Sequence, residues 1–393
     1  MKYTPEEVVE YVREEDVKFI RLAFCDVYGR QRNVAILADE LTRAFRHGIA
    51  FDASAIEGFG GQVRSDLFLH PDPATLRQLP WRPQHGGVAH MFCDITHPDG
   101  TPFAGDTRRV LREAARSAQA QGCAFRFGSE IEFYLFRLDE NGEKTKIPYD
   151  NAGYMDIAPA DRGENVRREI CLTLERMGIL PEASHHESGP GQNEIDFRHA
   201  DPLTAADNAV TFKAVVRTIA AQYGLWADFS PRPLADRDGS GMHINVSASC
   251  AGTQDPLPPL IAGILRRARE MTLFLNPVEN SYDRLGRDKA PGGVAWSPEN
   301  RSQLIRIPAA VGEFRRLELR SPDPTANPCL AFALVMQAGL EGLREGLTPP
   351  AEGVSLGELP VTRDEAVRAA ANSDFIRRTL PEIIVNAYCG REV

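Results

Sequence analysis

No run in this 393-residue chain comes near the roughly 18 consecutive apolar residues that a membrane-crossing helix needs. The first residues, Met1-Lys-Tyr-Thr-Pro-Glu-Glu7, contain no apolar signal core, so neither secretion nor membrane insertion is expected. Blocks of Lys and Arg are missing, and the formal net charge is −10. Both observations speak against a nucleic-acid partner, whose phosphates demand a concentrated basic surface. Cysteines never occur in C-x-x-C spacing; the seven present, at 25, 93, 123, 171, 250, 329 and 389, are odd in number and scattered. That usage implies reduced thiols in a cytoplasmic protein. Internal repeats and low-complexity tracts are absent as well.

What is there describes a globular chain. Hydrophobic residues make up 42% and charged residues 25%, and the length suggests two domains. Thr4-Pro-Glu-Glu7 has the N-cap, the N1 proline and the N3 glutamate of a helix start. Residues 19–24 and 31–37 form a hairpin around the turn 26–30, and 88–95 a further strand. The glycines of residues 51–61 mark a sharply bent loop with Asp52 and Ser54 at its entry. Residues 1–104 thus constitute a small β-rich domain with one helix, and 105–393 a larger one. In the latter, helices are expected over 107–121, behind an Asp106 cap, and over 164–177, 204–223, 259–275, 327–343 and 363–380. Hairpin strands mixed with long helices define an α+β fold with an antiparallel sheet in the larger domain.

Four short stretches carry the chemistry. In Phe127-Gly-Ser-Glu-Ile-Glu-Phe-Tyr-Leu-Phe136, strand alternation sends Ile131, Phe133 and Leu135 to one face and Glu130, Glu132 and Tyr134 to the other. Two strand residues rise ~7 Å, so Glu130 and Glu132 stand side by side, too close to persist as bare anions in a half-buried place. A solvated pair is the ordinary reading of a lone E-x-E, but the design recurs. His243, Asn245 and Ser247 oppose Met242, Ile244 and Val246. Arg316, Glu318 and Arg320 oppose Leu317 and Leu319, while Glu194 and Asp196 oppose Ile195 and Phe197. A sheet with one wet face, bearing carboxylates and an imidazole, suits hard divalent cations. His185-His-Glu187 is a weaker candidate: only one of the two imidazoles can share a face with Glu187, His185 if it lies on that face.

Arginines 284, 301, 306, 316 and 320 concentrate in one region. Most such residues are solvated surface charge, yet Arg306 lies in Leu304-Ile-Arg-Ile-Pro308 and Arg320 in a strand, where an unpaired guanidinium is costly. Forked donors on the side of carboxylates and metals suit phosphate or carboxylate groups. With the loop 230–241, rich in Gly and Pro, they point to a nucleotide and to phosphoryl transfer.

Eight motifs in order then resemble glutamine synthetase, in its type I form, over nearly the whole chain. They are Phe51-Asp-Ala-Ser-Ala-Ile, Phe127-Gly-Ser-Glu-Ile-Glu-Phe, Gly153-Tyr, His185-His-Glu with Gly191-Gln-Asn-Glu, Gly239-Ser-Gly-Met-His, Asn280-Ser-Tyr-Asp-Arg-Leu, Asn300-Arg-Ser with Ile305-Arg-Ile-Pro, and Arg316-Leu-Glu-Leu-Arg-Ser-Pro-Asp-Pro. The resemblance implies an N-terminal β-grasp domain and a catalytic domain whose curved antiparallel sheet is flanked by helices. It implies at least two divalent ions, Mg2+ or Mn2+, one at Glu132, Glu187 and Glu194 and the other at Glu130, His243 and Glu318. Glutamate would lie against Arg284, Arg320 and Gly239, with Asp238 in the same loop, and ATP near Glu182, Ser247, Arg301, Arg306 and Arg316. Asp52, Tyr154 and Glu187 match the family's ammonium site. The implied reaction is that of a glutamate–ammonia ligase: ATP phosphorylates the γ-carboxylate of glutamate, and an amine attacks the acyl phosphate. The family forms double-ring dodecamers whose sites lie between subunits.

Two departures touch the amine end. Lys289 stands where the family has its flap glutamate, and Asp238 where it has a glutamate-binding Asn. The first changes the local charge by about +2, which repels ammonium. Lys289 pairing with Asp52, Asp288 taking over the acidic role, or a nucleophile other than ammonium would each account for it. The sequence therefore leaves open a γ-glutamyl ligase for an organic amine and a ring-forming regulatory paralogue of low activity.

Overall fold

The computed structural model describes residues 3–59, 66–82, 85–310, 312 and 315–390. Helix α1 (Pro5–Glu14) begins with the expected capping box: Thr4 Oγ1 accepts from the Glu7 N–H, and the Glu7 carboxylate accepts from the Thr4 N–H. Its buried side, Val8 and Val12, rests on a six-stranded sheet. Strands β1 (Val17–Cys25) and β2 (Gln31–Leu37) form the expected hairpin. The Asp26 carboxylate ties the turn by accepting from the N–H groups of Tyr28 and Arg30. A second short helix follows, α2 (Leu41–His47), where the sequence promised none; then come β3 (Ile49–Asp52), β4 (Asp66–Pro71), β5 (Arg77–Gln78) and β6 (Gly87–Thr96). The order is β2-β1-β6-β4-β3 with β5 added on β6, and β1 runs parallel to β6. Residues 60 and 61 of the glycine loop lie outside the described residues.

The larger sheet has nine strands, organised on the long β7 (Cys123–Leu138). The others are β8 (Lys144–Pro148), β9 (Pro181–His186), β10 (Gln192–Ala200), β11 (Leu225–Asp228), β12 (Met242–Cys250), β13 (Trp296–Ser297), β14 (Ile305–Arg306) and β15 (Leu317–Leu319). Their order is β13-β14-β15-β12-β7-β10-β9, with β8 and β11 along the far end of β7. One pairing, β13 with β14, is parallel, so the sheet is mixed where a purely antiparallel one was expected. Helices α3 (Thr107–Ala120), α4 (Glu164–Arg176), α5 (Pro202–Gln222) and α7 (Pro328–Glu345) cover its apolar side, where Phe127, Ile131, Phe133, Ile195 and Ile244 are buried, and α6 (Leu257–Leu275) packs on α7.

Two expectations need correction. The helix over 363–380 is broken into α8 (Arg363–Ala371) and α9 (Asp374–Thr379), because the Ser373 hydroxyl accepts from the Ile376 N–H and starts a new helix; α10 (Glu382–Cys389) follows. Nor are all seven cysteines free thiols. Cys123 and Cys250 stand opposite each other in the β7–β12 register, 4.1 Å apart at Cα, and form a disulfide. Cys25, Cys93, Cys171 and Cys329 are outside any disulfide. Among the described residues no helix is long and apolar enough to cross a membrane.

Candidate active site

Sheet register assembles the polar face. Across β7, Glu132 stands opposite Glu194, and Glu130 opposite both Asp196 and His243. Beyond β12, Asn245 stands opposite Glu318 of β15, which stands opposite Arg306 of β14. On the outer side His185 of β9 stands opposite Glu194. Met242, Ile244, Val246, Leu317 and Leu319 are buried beneath, as the period-2 pattern requires. The upper face opens into a cavity of about 310 Å3.

Three groups of donors gather there, each with its ligand atoms within 4.8 Å of one another: Glu130, His243 and Glu318; His185, Glu187 and Glu194; and Glu130, Glu194 and Asp196. In the first, His243 Nδ1 lies 3.2 Å from Glu130 Oε2 and 3.6 Å from Glu318 Oε1. Asn245 Nδ2 donates to Glu130 Oε1 at 2.8 Å. Glu318 has no solvent contact and pairs with Arg306 and Arg320. The second group differs from expectation. Glu132 lines the cavity, but its Oε2 accepts from Gln192 Nε2 at 3.1 Å and from the Gly241 N–H at 2.9 Å, while His185 Nε2 comes within 3.2 Å of Glu187 Oε1. His186 points the other way, buried against Asp150 Oδ1 at 2.9 Å and the Glu187 carbonyl at 2.6 Å. Of the two imidazoles, His185 is therefore the one that faces Glu187. Gln192 is a site residue to which sequence reasoning gave no role; its parity with Glu194 was the available signal, the same parity that had put Asp196 on the wet face.

The carboxylates do not share one protonation behaviour. Burial, then repulsion by Glu132, Asp196, Glu130 and Glu187, pushes Glu194 well above the carboxylate range. Burial and the Glu130 charge push Asp196 up to about 7. Glu132 is raised by burial and by Glu187, against the pull of His243 and Arg284. Burial would raise Glu130 too, but the hydrogen bond and charge of His243, the Asn245 amide and Arg320 bring it down to about 2. Among the described residues, no Lys or Arg forms an ion pair with Glu132, Glu194 or Asp196. Such a set of raised, unpaired acids is what divalent cations would neutralise.

Backbone proximity fixes the glycine loop. Arg284 is buried and donates to the carbonyls of Ser321 (2.7 Å) and Arg320 (3.2 Å). A Cβ on Gly241 would stand 2.7 Å from Arg284 Nη2 and 2.8 Å from His243 Nε2, and one on Gly239 would stand 2.6 Å from the Pro231 carbonyl. Asp238 and Gly239 line the cavity, with the Tyr134 hydroxyl donating to the Asp238 carbonyl at 2.6 Å. Burial, together with Asp288 and Glu187, raises the Asp238 carboxyl, while Lys289 pulls it down.

The nucleotide candidates divide. Glu182, Ser247 and Arg316 line a second cavity of about 710 Å3, and Glu130 lines both, so the two meet at that residue. Arg301 lies in the first cavity with Arg320, whose Nε donates to the Arg301 carbonyl at 2.6 Å; Arg306 is held by Glu318. At the amine end, Lys289 Nζ lies 5.0 Å above the ring of Tyr154, which meets His185 edge-on. Asp288 accepts from Arg232 Nη1 at 3.0 Å. Asp52 is not brought to the site of its own chain. It is solvent-exposed, accepts from Ser54 and lines neither cavity.

Acidic donors grouped on a curled sheet, with arginines at a cavity that branches in two, suit an enzyme of metal-dependent nucleotide chemistry. The comparisons narrow the class. The description "Glutamine synthetase, catalytic domain" matches residues 104–391 and "Glutamine synthetase, beta-Grasp domain" residues 16–98. A glutamine synthetase from Clostridium saccharobutylicum is 47% identical over 364 residues, 89% of this chain and 82% of that one. One from Methanosarcina mazei is 45% identical over 418 residues, 99% of this chain and 94% of that one. Among solved structures, GmaS in complex with ADP superposes with a TM-score of 0.87 at 27% identity, over 98% of this chain and 94% of that one. The chain belongs to the glutamine synthetase family and is a ligase of that family, with its N-terminal β-grasp domain and mixed-sheet catalytic domain.

Proposed function

We propose that the chain joins an amine to the γ-carboxylate of glutamate at the expense of ATP, through a γ-glutamyl phosphate, with ammonia as the leading nucleophile. Residues 1–104 and 105–393 are its two domains, and the cytoplasm its setting. The observation that carries this reading is the junction of the two cavities at Glu130. One branch holds nucleotide candidates and the other carries Arg284, Gly239 and Arg320, so a phosphoryl group entering along the first meets a carboxylate bound in the second. Glu130, His243 and Glu318 would hold one divalent ion, and Glu187 and Glu194 with Glu132 or His185 another. Mg2+ or Mn2+ held there would supply positive charge to offset the negative charge of the transferring phosphoryl group.

The chain's own residues do the rest. Arg320, locked between Glu318 and the Arg301 carbonyl, presents a fixed guanidinium to the migrating charge. Glu182, Ser247 and Arg316 hold the nucleotide, and Arg301 and Arg306 flank the junction. Glu187, kept below the usual carboxylate range against burial by His185, the Ser188 N–H and Lys289, is placed beside Tyr154 to accept a proton from the incoming amine. Asp52 completes the amine end of a neighbouring subunit in a homo-oligomeric ring, a dodecamer by resemblance.

A second reading makes the nucleophile an organic amine. Lys289 supports it, because a cation stacked on Tyr154 at the amine end opposes a bare ammonium ion. A regulatory paralogue has less use for two complete sets of cation donors. The discriminating experiment supplies Mg2+, ATP and glutamate and measures ADP release with ammonium, hydroxylamine and a panel of alkyl amines. Turnover with ammonium supports glutamine formation, and turnover confined to larger amines supports the second reading. Nucleotide binding without ADP release under any condition would refute both.

A further inference from the structure

A third cavity, of about 1070 Å3, lies between the N-terminal sheet and α5, away from the carboxylates just described. Among the described residues its walls bear six cationic side chains and a single carboxylate, Glu57, which is already paired with Arg30. Sheet register explains the concentration. Arg21 of β1 stands beside His90 of β6, and His90 beside Arg77 of β5, so three basic side chains leave one face of the sheet in a row. From α5 come Lys213 and Arg217, one helical turn apart.

Carboxylates act on some of these groups only from a distance: Asp207 on Arg77, Asp228 on Arg217 and Asp323 on Lys213. Among the described residues Arg21, Arg77, Arg82, Lys213 and Arg217 form no ion pair. Arg77 Nη2 donates to Asn208 Oδ1 at 2.6 Å, while its Nη1 is buried without a partner. Lys213 donates to the Pro324 carbonyl at 3.1 Å, and Arg217 stacks on Phe229. His90 is 3% exposed, lines the cavity, and both its ring nitrogens are unsatisfied. The electrostatic strain is visible in the proton affinities. Burial and then Arg77 and Arg21 push His90 down to about 3, and burial and then Arg217 push Lys213 down to about 8. Arg82 and Arg217 remain exposed, but Lys213 is buried and Arg21 and Arg77 are half-buried, and desolvated cations that repel one another cost free energy unless an anion joins them.

We propose that this cavity binds a small, multiply charged oxyanion, a polycarboxylate or a phosphate, held by Arg21, Arg82, Lys213 and Arg217 with an N–H from His90. Guanidinium forks match the paired oxygens of either chemistry. The ligand would bridge the N-terminal sheet to α5 and to Pro324, four residues beyond Arg320.

The full-length protein, free of nucleotide and metal, is titrated calorimetrically with inorganic phosphate and with citrate at ionic strength held constant by chloride. Binding of either above the chloride background is expected, and which of the two binds identifies the ligand chemistry. Arg21→Gln and Lys213→Met should each weaken it by about tenfold or more. Arg320→Gln, in the carboxylate cavity, should leave it unchanged. The ligand-free Arg21→Gln protein should melt no lower than the parent, because one repelling charge is gone; a purely structural arginine would give a lower Tm. No binding above chloride, equal affinity in Arg21→Gln and Lys213→Met, or loss confined to Arg320→Gln would each overturn the proposal.

Discussion

Lys289 lowers the Asp238 carboxyl across the amine end, and under the proposed function the lysine would govern which nucleophile is admitted. Its ammonium, stacked on Tyr154, acts on Glu187 through its charge and would oppose a small cation there. Lys289→Glu restores an anion there, and kcat/KM for ammonium should rise by about tenfold or more, in line with the removal of a like charge at short range in a partly buried site. An unchanged or lower value in a steady-state ADP assay would show that Lys289 does not set the choice. His90 offers a second measurement at this scale. Its native pKa of about 3 lies below its unfolded value near 6.5, so the unfolded chain binds the proton first as pH falls. Stability contributed by the neutral imidazole is complete above pH 6.5 and is lost as pH descends toward 3. Against a His90→Leu reference, the parent should lose up to about 1.4 kcal/mol more per pH unit between pH 6 and 4 in urea unfolding, without added anion. Parallel pH profiles would contradict this.

Strands and helices were legible to different depths. The carboxylates of β7, β10 and β15 and His243 of β12 could be assigned to one face because a strand alternates with period 2 wherever it lies. Which of them stand opposite each other was not legible, since register depends on turns and loops elsewhere. That is why the capture of Glu132 by Gln192 and Gly241 emerged from the fold alone, whereas His185 beside Glu187, two residues apart, was open to strand parity. The Cys123–Cys250 pair was hidden for the same reason, its partners being 127 residues apart. Helix α5 was found within two residues of its start, whereas the break between α8 and α9 depends on one serine cap. Among helices, α6 and α7 touch through glycine. A Cβ on Gly263 would stand 2.1 Å from the Ala338 carbonyl, and one on Gly342 would stand 2.0 Å from the Pro259 carbonyl. Gly263→Ala should therefore force the pair apart and destabilise by about 2 kcal/mol or more, read as a lower urea midpoint. A midpoint within error of the parent would mean that the helices part freely.

At the scale of the whole molecule, Asp52 is the residue that does not fit a single chain. It belongs to the matched motifs yet lies exposed, away from Glu187 and Tyr154. In a ring it would serve the next subunit, which predicts complementation: Asp52→Ala and Arg320→Ala proteins, each inactive alone, should regain ADP release when dissociated and reassembled together. Failure of mixed rings to recover activity would place Asp52 outside the reaction.

The central claim is that side chains from β7, β10, β12, β15 and the turn after β9 hold a pair of divalent ions. Titration of the protein with Mn2+ in the absence of nucleotide, followed by electron paramagnetic resonance of the free ion, counts them directly. At least two bound ions per chain are expected, one lost in Glu318→Gln and a different one in Glu187→Gln. A parent protein that binds fewer than two, or variants that bind as many as the parent, would contradict it.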